Sequence, residues 1–239
     1  VKAGRRGGKT VVQSDIAENA FLEGKRVLYA TPTSDQIQKF WFEVVRALQP
    51  LIDKGVYKKN ESTHTIEKPG TEERIRAKTA WNADTLRGDY CDLLLLDEYQ
   101  LMNEDAWDRV GSPMLLDNNG DAVFTFTPPS FRTRSVTKAD DPLHANKLYK
   151  AKDKDKSGRW ECFHFTSFDN PHISHEALDN ITEDMTELAY RQEILAEDVD
   201  EVPGALWTRE MIDNTRVTEK PKLVKIGVGV DPQGRKKIG

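Results

Sequence analysis

Two hydrophobic patterns alternate along the first half of the chain. Residues 10–22 and 34–48 place apolar side chains at the three- and four-residue spacing of a helix. Short continuous apolar runs occur at 27–30, 93–96 and 122–126, as expected for strands covered on both faces of a parallel sheet. Because strands and helices alternate, the pattern predicts an α/β fold with a mostly parallel central sheet.

Local signals add detail to this framework. Ser34 is expected to cap the second helix, and Asn103 is placed to cap a later one. Two strand-like segments, 63–66 and 74–79, flank a Pro-Gly pair at 69–70, which indicates a hairpin.

The character of the chain changes near Lys147. A charged loop is expected first, then a strand at 160–165, then two helices at 174–181 and 182–196, each opened by a capping hydroxyl. This arrangement is typical of a small helical subdomain that follows the α/β core.

Composition narrows the class of protein. The 239 residues, 37% hydrophobic and 31% charged, suffice for one sizeable core. No apolar run approaches the ~20 residues of a membrane span. Cys91 and Cys162 lie far apart and lack metal-ligand spacing. The net charge of -5 neither indicates nor excludes a nucleic-acid partner. The basic residues between 147 and 159 could form a patch for nucleic acid, but interspersed aspartates favour a solvated loop.

Residues 3–10 read A-G-R-R-G-G-K-T, which matches the P-loop pattern except that Ala3 replaces the usual first glycine. In such a loop, backbone N–H groups surround phosphates at the positive end of the following helix. Lys9 is expected to reach the β- and γ-phosphates, and the Thr10 hydroxyl to bind Mg²⁺. The predicted nucleotide-binding residues are Gly4, Arg5, Arg6, Gly7, Gly8, Lys9 and Thr10.

A second motif, L-L-L-L-D-E, occupies residues 93–98. The four leucines predict a buried strand, so Asp97 should emerge at the carboxyl edge of the sheet beside the P-loop and hold Mg²⁺. Glu98 is then placed to polarise an attacking water. Acids at strand ends are also common helix caps, but the upstream P-loop favours the catalytic interpretation.

Two further residues are candidates with open alternatives. Thr127, in F-T-F-T-P-P, could sense the γ-phosphate, or it could simply end a strand before two prolines. Arg87, in L-R-G, could stabilise transition-state charge as an arginine finger, although most surface arginines have no such role.

In this order, A-G-R-R-G-G-K-T, L-R-G, L-L-L-L-D-E and F-T-P-P resemble the large terminase subunit of tailed bacteriophages. The segments S-F-D-N-P at 167–171 and R-Q-E at 191–193 resemble that family more specifically, and the resemblance covers nearly the whole chain. It implies a P-loop ATPase of the additional-strand, catalytic-glutamate class, joined through a lid or linker subdomain to a ribonuclease-H-like nuclease.

The resemblance also implies a role for each candidate residue. It assigns phosphate and Mg²⁺ binding to Lys9 and Thr10, the metal-side acid to Asp97, the general base to Glu98, the P-loop arginine to Arg5, the coupling of hydrolysis to movement to Thr127, and a finger acting on a neighbouring subunit to Arg87.

The two ends suggest a fragment of a longer protein. Only three residues precede Gly4, where a buried strand and an adenine-contacting segment are expected. The segment G-V-G-V-D-P at 227–232 resembles the first nuclease strand, with Asp231 as its first metal-binding carboxylate. The full-length nuclease would use Mg²⁺ or Mn²⁺, and this fragment is not expected to cut DNA. The expected domains are an ATPase core at 1–166, a lid or linker at 167–215, and the first nuclease strand at 216–239.

The implied partners are ATP, double-stranded DNA, the portal protein and the small terminase subunit. A homo-oligomeric ring is expected on the procapsid, in the cytoplasm of the infected host, with a monomer in isolation as the alternative and no membrane association.

A helicase-type translocase is the main rival function, because D-E-Y-Q at 97–100 resembles a helicase box, but a helicase requires a second motor domain. A non-enzymatic nucleotide-binding scaffold is the third hypothesis, and Glu98 argues against it.

Overall fold

The computed structural model describes residues 1–80, 82–129, 137–199, 211 and 214–216. The chain divides into two compact units, Val1–Asp200 and Glu201–Gly239, and the first contains all the elements named below. Those elements are β1 (Lys2–Ala3), α1 (Lys9–Leu22), β2 (Arg26–Thr31), α2 (Ser34–Asp53), β3 (Lys58–Asn60), β4 (Thr65–Glu67), β5 (Arg74–Thr79), β6 (Leu93–Leu96), α3 (Ser112–Met114, preceded by a π-helical stretch Ala106–Gly111), β7 (Asp121–Phe124), α4 (His144–Asp153), β8 (His164–Phe165), α5 (His175–Thr182) and α6 (Glu187–Ala189, continued by a π-helical stretch Tyr190–Ile194).

The strands form a mostly parallel sheet, as the sequence predicts. The order is β3-β4-β5-β2-β6-β7, with β2 parallel to β5 and β6, and β6 parallel to β7. The predicted hairpin forms the antiparallel edge, where β4 pairs with β3 and β5. These pairings confirm the α/β class.

The strand before the P-loop joins this sheet beyond β7. Lys2 forms a parallel bridge with Phe126, and the Ala3 N–H donates to the Phe126 carbonyl at 3.0 Å. On its other side β1 pairs with β8 in parallel. β7 therefore lies between the P-loop strand and β6, which is the additional strand of the predicted class.

Both faces of β6 are buried, as its unbroken apolar run predicts. Leu93 and Leu95 belong to the hydrophobic cluster that includes α1 and α2. Leu94 and Leu96 belong to the second cluster, on the opposite face. Because successive side chains of a strand point to opposite faces, both positions must be apolar, and the sheet holds the end of β6 firmly in place.

The first two helices differ from prediction in detail. α2 buries its apolar stripe as expected, but its cap is Thr33, which forms a capping box with Gln36, and not Ser34. α1 exposes Val12 and buries the polar Gln13. The reason, described below, is a buried polar network beneath the P-loop.

The later elements also differ from prediction. Part of the charged loop expected after Lys147 is the helix α4, and β8 is a two-residue strand. Ser174 caps α5 through its hydroxyl as expected, but the next helix is capped by Thr186, because α5 continues through Thr182.

Residues 167–199 lie in the same compact unit as the P-loop. The lid boundary expected at 166 and 167 stays a prediction. Asp231 and the predicted nuclease strand lie outside the described residues. Within the described part of the chain, no helix combines the length and apolar character needed to cross a membrane.

Candidate active site

The P-loop connects β1 directly to α1. The Gly7 N–H donates to the Gly4 carbonyl at 3.1 Å, and the backbone turns through left-handed conformations at Arg6 (φ 61°) and Gly8 (φ 84°). Gly8 occupies the N-cap position of α1 and has no side chain with which to cap it. The first N–H groups of the helix are therefore suited to an anionic ligand at the positive end of the helix dipole.

Lys9 connects the P-loop to two other predicted site residues. Its Nζ donates to Thr127 Oγ1 at 2.7 Å and to the Gly4 carbonyl at 3.3 Å, and it lies 3.8 Å from Glu98 Oε1. The ammonium group is thus held between the loop, the end of the additional strand and the end of β6. This is the position from which it could reach a phosphate bound by the loop.

The two predicted metal-binding side chains contact each other. Thr10 Oγ1 donates a hydrogen bond to Asp97 Oδ2 at 3.0 Å. Asp97 is only 3% exposed, and its backbone N–H donates to the Ala30 carbonyl at the end of β2. The parallel register of β2 and β6 therefore brings the carboxylate to the first turn of α1.

Asp97 is held by donors that sequence reasoning missed. The Tyr29 hydroxyl donates to Asp97 Oδ2 at 2.8 Å, and the Thr125 hydroxyl donates to Oδ1. Gln13 Nε2 in turn donates to Thr125 Oγ1 at 3.1 Å. Burial, and next the negative charge of Asp97, raise the pKa of Tyr29, so its hydroxyl stays protonated and remains a donor.

The sequence indicates these residues only by their polarity, since the hydrophobic pattern expects apolar side chains at their positions. Thr125 interrupts an apolar strand segment, and Gln13 lies on the buried side of α1. Buried polar groups require partners, but the sequence does not identify which partners they find.

Glu98 adopts a left-handed backbone conformation, with φ at 52°. This conformation is uncommon for a residue with a Cβ and is found more often at functional sites. Gln100 Nε2 donates to Glu98 Oε2 at 2.6 Å. Desolvation raises the pKa of the Glu98 carboxyl, and the nearby Asp97 adds to this, while Lys9 and Gln100 oppose it. A raised pKa suits a group that must accept a proton near neutral pH.

Each P-loop arginine contacts the later part of the chain, Arg5 through its side chain and Arg6 through its backbone carbonyl. The Arg5 side chain is 75% exposed, and its Nε lies 2.9 Å from Glu193 Oε2. The backbone carbonyl of Arg6 accepts a hydrogen bond from Asn170 Nδ2. Both segments singled out in the sequence, 167–171 and 191–193, therefore contact the P-loop.

Arg87 lies apart from this cluster. It follows a short 3₁₀ helix, Ala83–Leu86, in the connection between β5 and β6, and its guanidinium forms an ion pair with Asp84. No hydrogen bond or ion pair among the described residues joins it to Lys9 or Glu98. The structure brings together the other described candidates and leaves Arg87 on the surface.

A metal ion at this site would need ligands beyond the protein. In the part of the chain that the structure describes, no group of three or more His, Cys, Asp or Glu side chains could hold an ion. Thr10 and Asp97 supply two hard oxygen donors at one point, which fits Mg²⁺, an ion that takes its other ligands from phosphates and water.

Sequence comparison identifies no relative, since neither a protein-family model nor a curated protein matches the chain. Solved structures do match it. The large terminase ATPase domain of Thermus phage P74-26 superposes with a TM-score of 0.64 at 22% identity, covering 82% of this chain and 86% of that one.

Two longer terminases match over the same region. The HK97 bacteriophage large terminase gives a TM-score of 0.64 at 14% identity, with 83% of this chain and 46% of that one covered. The large terminase of a thermophilic bacteriophage, solved in complex with ATP-γ-S, gives 0.56 at 18% identity, with 82% and 46% covered. The chain therefore has the fold of large terminase ATPase domains and spans about half the length of these two proteins.

Proposed function

We propose that this chain is the ATPase region of a large terminase subunit, the motor that drives viral DNA packaging. The observation that carries the proposal is the contact between Thr10 and Asp97, with Glu98 and Lys9 beside it. The assignment to DNA packaging rests in addition on the fold, which this chain shares with terminase ATPase domains. The same similarity favours packaging over the helicase-type alternative.

ATP binding is assigned to the P-loop. The N–H groups in the first turn of α1, which begins after Gly8, would bind the phosphates, and Lys9 would neutralise the β- and γ-phosphate charge. Thr10 and Asp97 would hold Mg²⁺, which supplies charge neutralisation on the phosphate oxygens. The thermophilic phage terminase solved with ATP-γ-S supports nucleotide binding by this fold.

Glu98 is the proposed general base. Its raised pKa, its neighbour Lys9 and its strained backbone all fit a carboxylate positioned to take a proton from the attacking water. Gln100 donates to Glu98 Oε2, whereas Lys9 lies near Glu98 Oε1. The two contacts together restrict the rotation of the Glu98 carboxylate.

Three further residues are assigned roles beside those of the general base and the metal-binding side chains. Thr127 contacts Lys9 at the end of the additional strand, so it can couple the state of the phosphates to movement elsewhere in the chain. Arg5 is proposed to break its ion pair with Glu193 and then to contact the γ-phosphate. Arg87, exposed and outside the cluster, fits a finger that acts on the site of a neighbouring subunit.

The remaining assignments concern the longer protein and its assembly. We infer that it translocates double-stranded DNA as a homo-oligomeric ring, docked on the portal protein of a procapsid in the host cytoplasm and supplied with DNA by a small terminase subunit. The lid at 167–215 and a nuclease that begins at 216–239, with Asp231 binding Mg²⁺ or Mn²⁺, belong to the same proposal.

The decisive experiment is Glu98→Gln, which keeps the size of the side chain and removes its basicity. Phosphate release should fall by a factor of roughly 10²–10⁴, the usual contribution of a general base. ATP binding, measured by fluorescence with an ATP analogue, should remain. Glu183→Gln, at an exposed position just after α5, is the matched control. Undiminished turnover in Glu98→Gln would favour a different base, and no turnover in the unsubstituted chain would favour the scaffold hypothesis.

A further inference from the structure

The segment 166–170 contacts the P-loop from outside the phosphate site. Ser167 Oγ donates to the Arg5 carbonyl at 2.6 Å, and Asn170 Nδ2 donates to the Arg6 carbonyl at 2.6 Å. Ser167 is fully buried, whereas Asn170 lies nearer the surface. Two consecutive carbonyls of the loop are therefore held by side chains 162 and 164 residues away.

The carbonyl held by Asn170 belongs to a strained residue. Arg6 has φ at 61°, a left-handed conformation that brings the Cβ of an L-residue against its own backbone. Such a residue keeps this conformation only where the surrounding structure imposes it. The hydrogen bond from Asn170 is an interaction that does so.

The segment that provides these donors is itself ordered by local contacts. The Thr166 N–H and hydroxyl both donate to Asp169 Oδ2, at 2.6 and 2.8 Å, and form a capping box around the 3₁₀ turn Ser167–Asp169. Asn170 Oδ1 accepts from the His172 N–H at 3.0 Å. This contact fixes the orientation of the amide, because the oxygen faces a donor and the nitrogen then faces the Arg6 carbonyl.

Close packing leaves the start of the loop little freedom. A Cβ placed on Gly4 would lie 2.4 Å from the Ile194 carbonyl oxygen and 2.7 Å from Ser167 Oγ. The Gly4 N–H donates to the Phe165 carbonyl, and the Arg5 N–H donates to the Glu193 carbonyl. The loop backbone is thus enclosed by residues from both later segments.

We propose that Asn170 and Ser167 are positioning residues of the nucleotide site, which hold the carbonyls of Arg6 and Arg5 so that the P-loop keeps its phosphate-binding shape. This inference rests on the proposed function, because it takes the P-loop to bind a nucleotide. The inference gives a physical role to the segment S-F-D-N-P at 167–171. Nucleotide affinity then depends on whether the turn at 166–170 is docked against the loop.

The test compares Asn170→Ala and the nearly isosteric Asn170→Asp in the 239-residue chain. The first removes the donor, and the second places an acceptor against the Arg6 carbonyl. The dissociation constants of fluorescent ATP and ADP analogues should rise about three- to tenfold for Asn170→Ala, as expected for one hydrogen bond, and further for Asn170→Asp. Both nucleotides should be affected equally, because the loop holds the phosphates that they share. Asn180→Ala, an exposed asparagine on α5, is the control and should leave both constants unchanged.

Rescue by Arg6→Gly separates positioning from general stability. Glycine adopts left-handed conformations freely. Adding Asn170→Ala to the Arg6→Gly variant should therefore raise the dissociation constant of either nucleotide by less than about twofold. Unchanged affinities in both Asn170 variants would overturn the inference while leaving the proposed function intact, and so would an undiminished effect in the Arg6→Gly background. Failure of the unsubstituted chain to bind either nucleotide would overturn the proposed function itself.

Discussion

The Thr10 hydroxyl donates to Asp97 Oδ2 at 3.0 Å, although 87 residues separate the two in the chain. The contact joins the first turn of α1 to the end of β6. It exists because β6 lies beside β2, whose Ala30 carbonyl anchors the Asp97 N–H. Sheet register thereby brings the proposed phosphate-binding loop together with the carboxylate that is proposed to hold its metal ion.

Tyr29→Phe should weaken metal binding without disturbing the core. The ring stacks on Phe40, with centroids 3.7 Å apart, and that packing survives the loss of the hydroxyl. Asp97 loses one hydrogen-bond donor in this variant. Removing a group that hydrogen-bonds to a metal ligand typically lowers metal affinity or activity by about 10–100-fold. The measurement is ATPase rate against Mg²⁺ concentration, with Tyr57→Phe as control. An unchanged Mg²⁺ dependence would show that Tyr29 does not orient Asp97.

Gln100→Leu should move the pH profile of hydrolysis. The hydrogen bond from Gln100 lowers the pKa of Glu98, as Lys9 also does, while burial, Asp97 and Glu193 raise it. Removing the bond raises the pKa, so the base is protonated up to a higher pH and the acidic limb of kcat shifts to higher pH. Gln38→Leu, at an exposed position on α2, is the control. An equal loss of kcat at every pH would indicate a structural effect instead.

Gly4→Ala should destabilise the first compact unit. The added Cβ would approach the Ile194 carbonyl oxygen to 2.4 Å, so backbone must shift. Overpacking of this kind lowers the free energy of unfolding by about 1–3 kcal/mol, and thermal unfolding would show this as a lower Tm. Gly55→Ala is a useful comparison, since its Cβ meets nothing within 4 Å and only its positive φ opposes the change. Equal Tm values for Gly4→Ala and the unsubstituted chain would contradict the close approach.

Arg87→Ala tests the proposed finger between subunits. In assembled rings of the longer protein, mixing Arg87→Ala subunits with Glu98→Gln subunits should restore hydrolysis that neither variant shows alone, because the finger of one subunit then serves the intact base of its neighbour. A finger typically supplies ~10³–10⁵ in rate. Arg109→Ala is the matched control, because Arg109 is similarly exposed and also pairs with a nearby aspartate. Absence of any recovery of hydrolysis on mixing would exclude the role.

The sequence alone predicted the parts that depend on local pattern. Helical spacing, the four leucines of β6 and the glycines of the P-loop each determine their element through neighbouring residues, so α1, α2, β2, β6 and the hairpin were predicted correctly. The predicted cap of α2 was wrong, because Thr33 and Ser34 are both good capping residues and only the backbone geometry selects between them.

The short elements after Lys147 were harder to predict. α4 has few apolar residues and many lysines, so its helical pattern is weak, and packing of Ala145 into the core decides it. Tertiary contacts override weak propensity in such segments. β8 is shorter than expected because only His164 and Phe165 pair with β1.

By itself, the sequence determined the chemistry available at the site, a P-loop with its lysine and threonine and two acids at the end of a buried strand. Only the tertiary structure decided which residues surround them. Tyr29, Thr125 and Asn170 contact Asp97 or the loop because parallel strands and a distant turn bring them there. Such contacts depend on register and on the face each side chain occupies, and no local pattern contains that information.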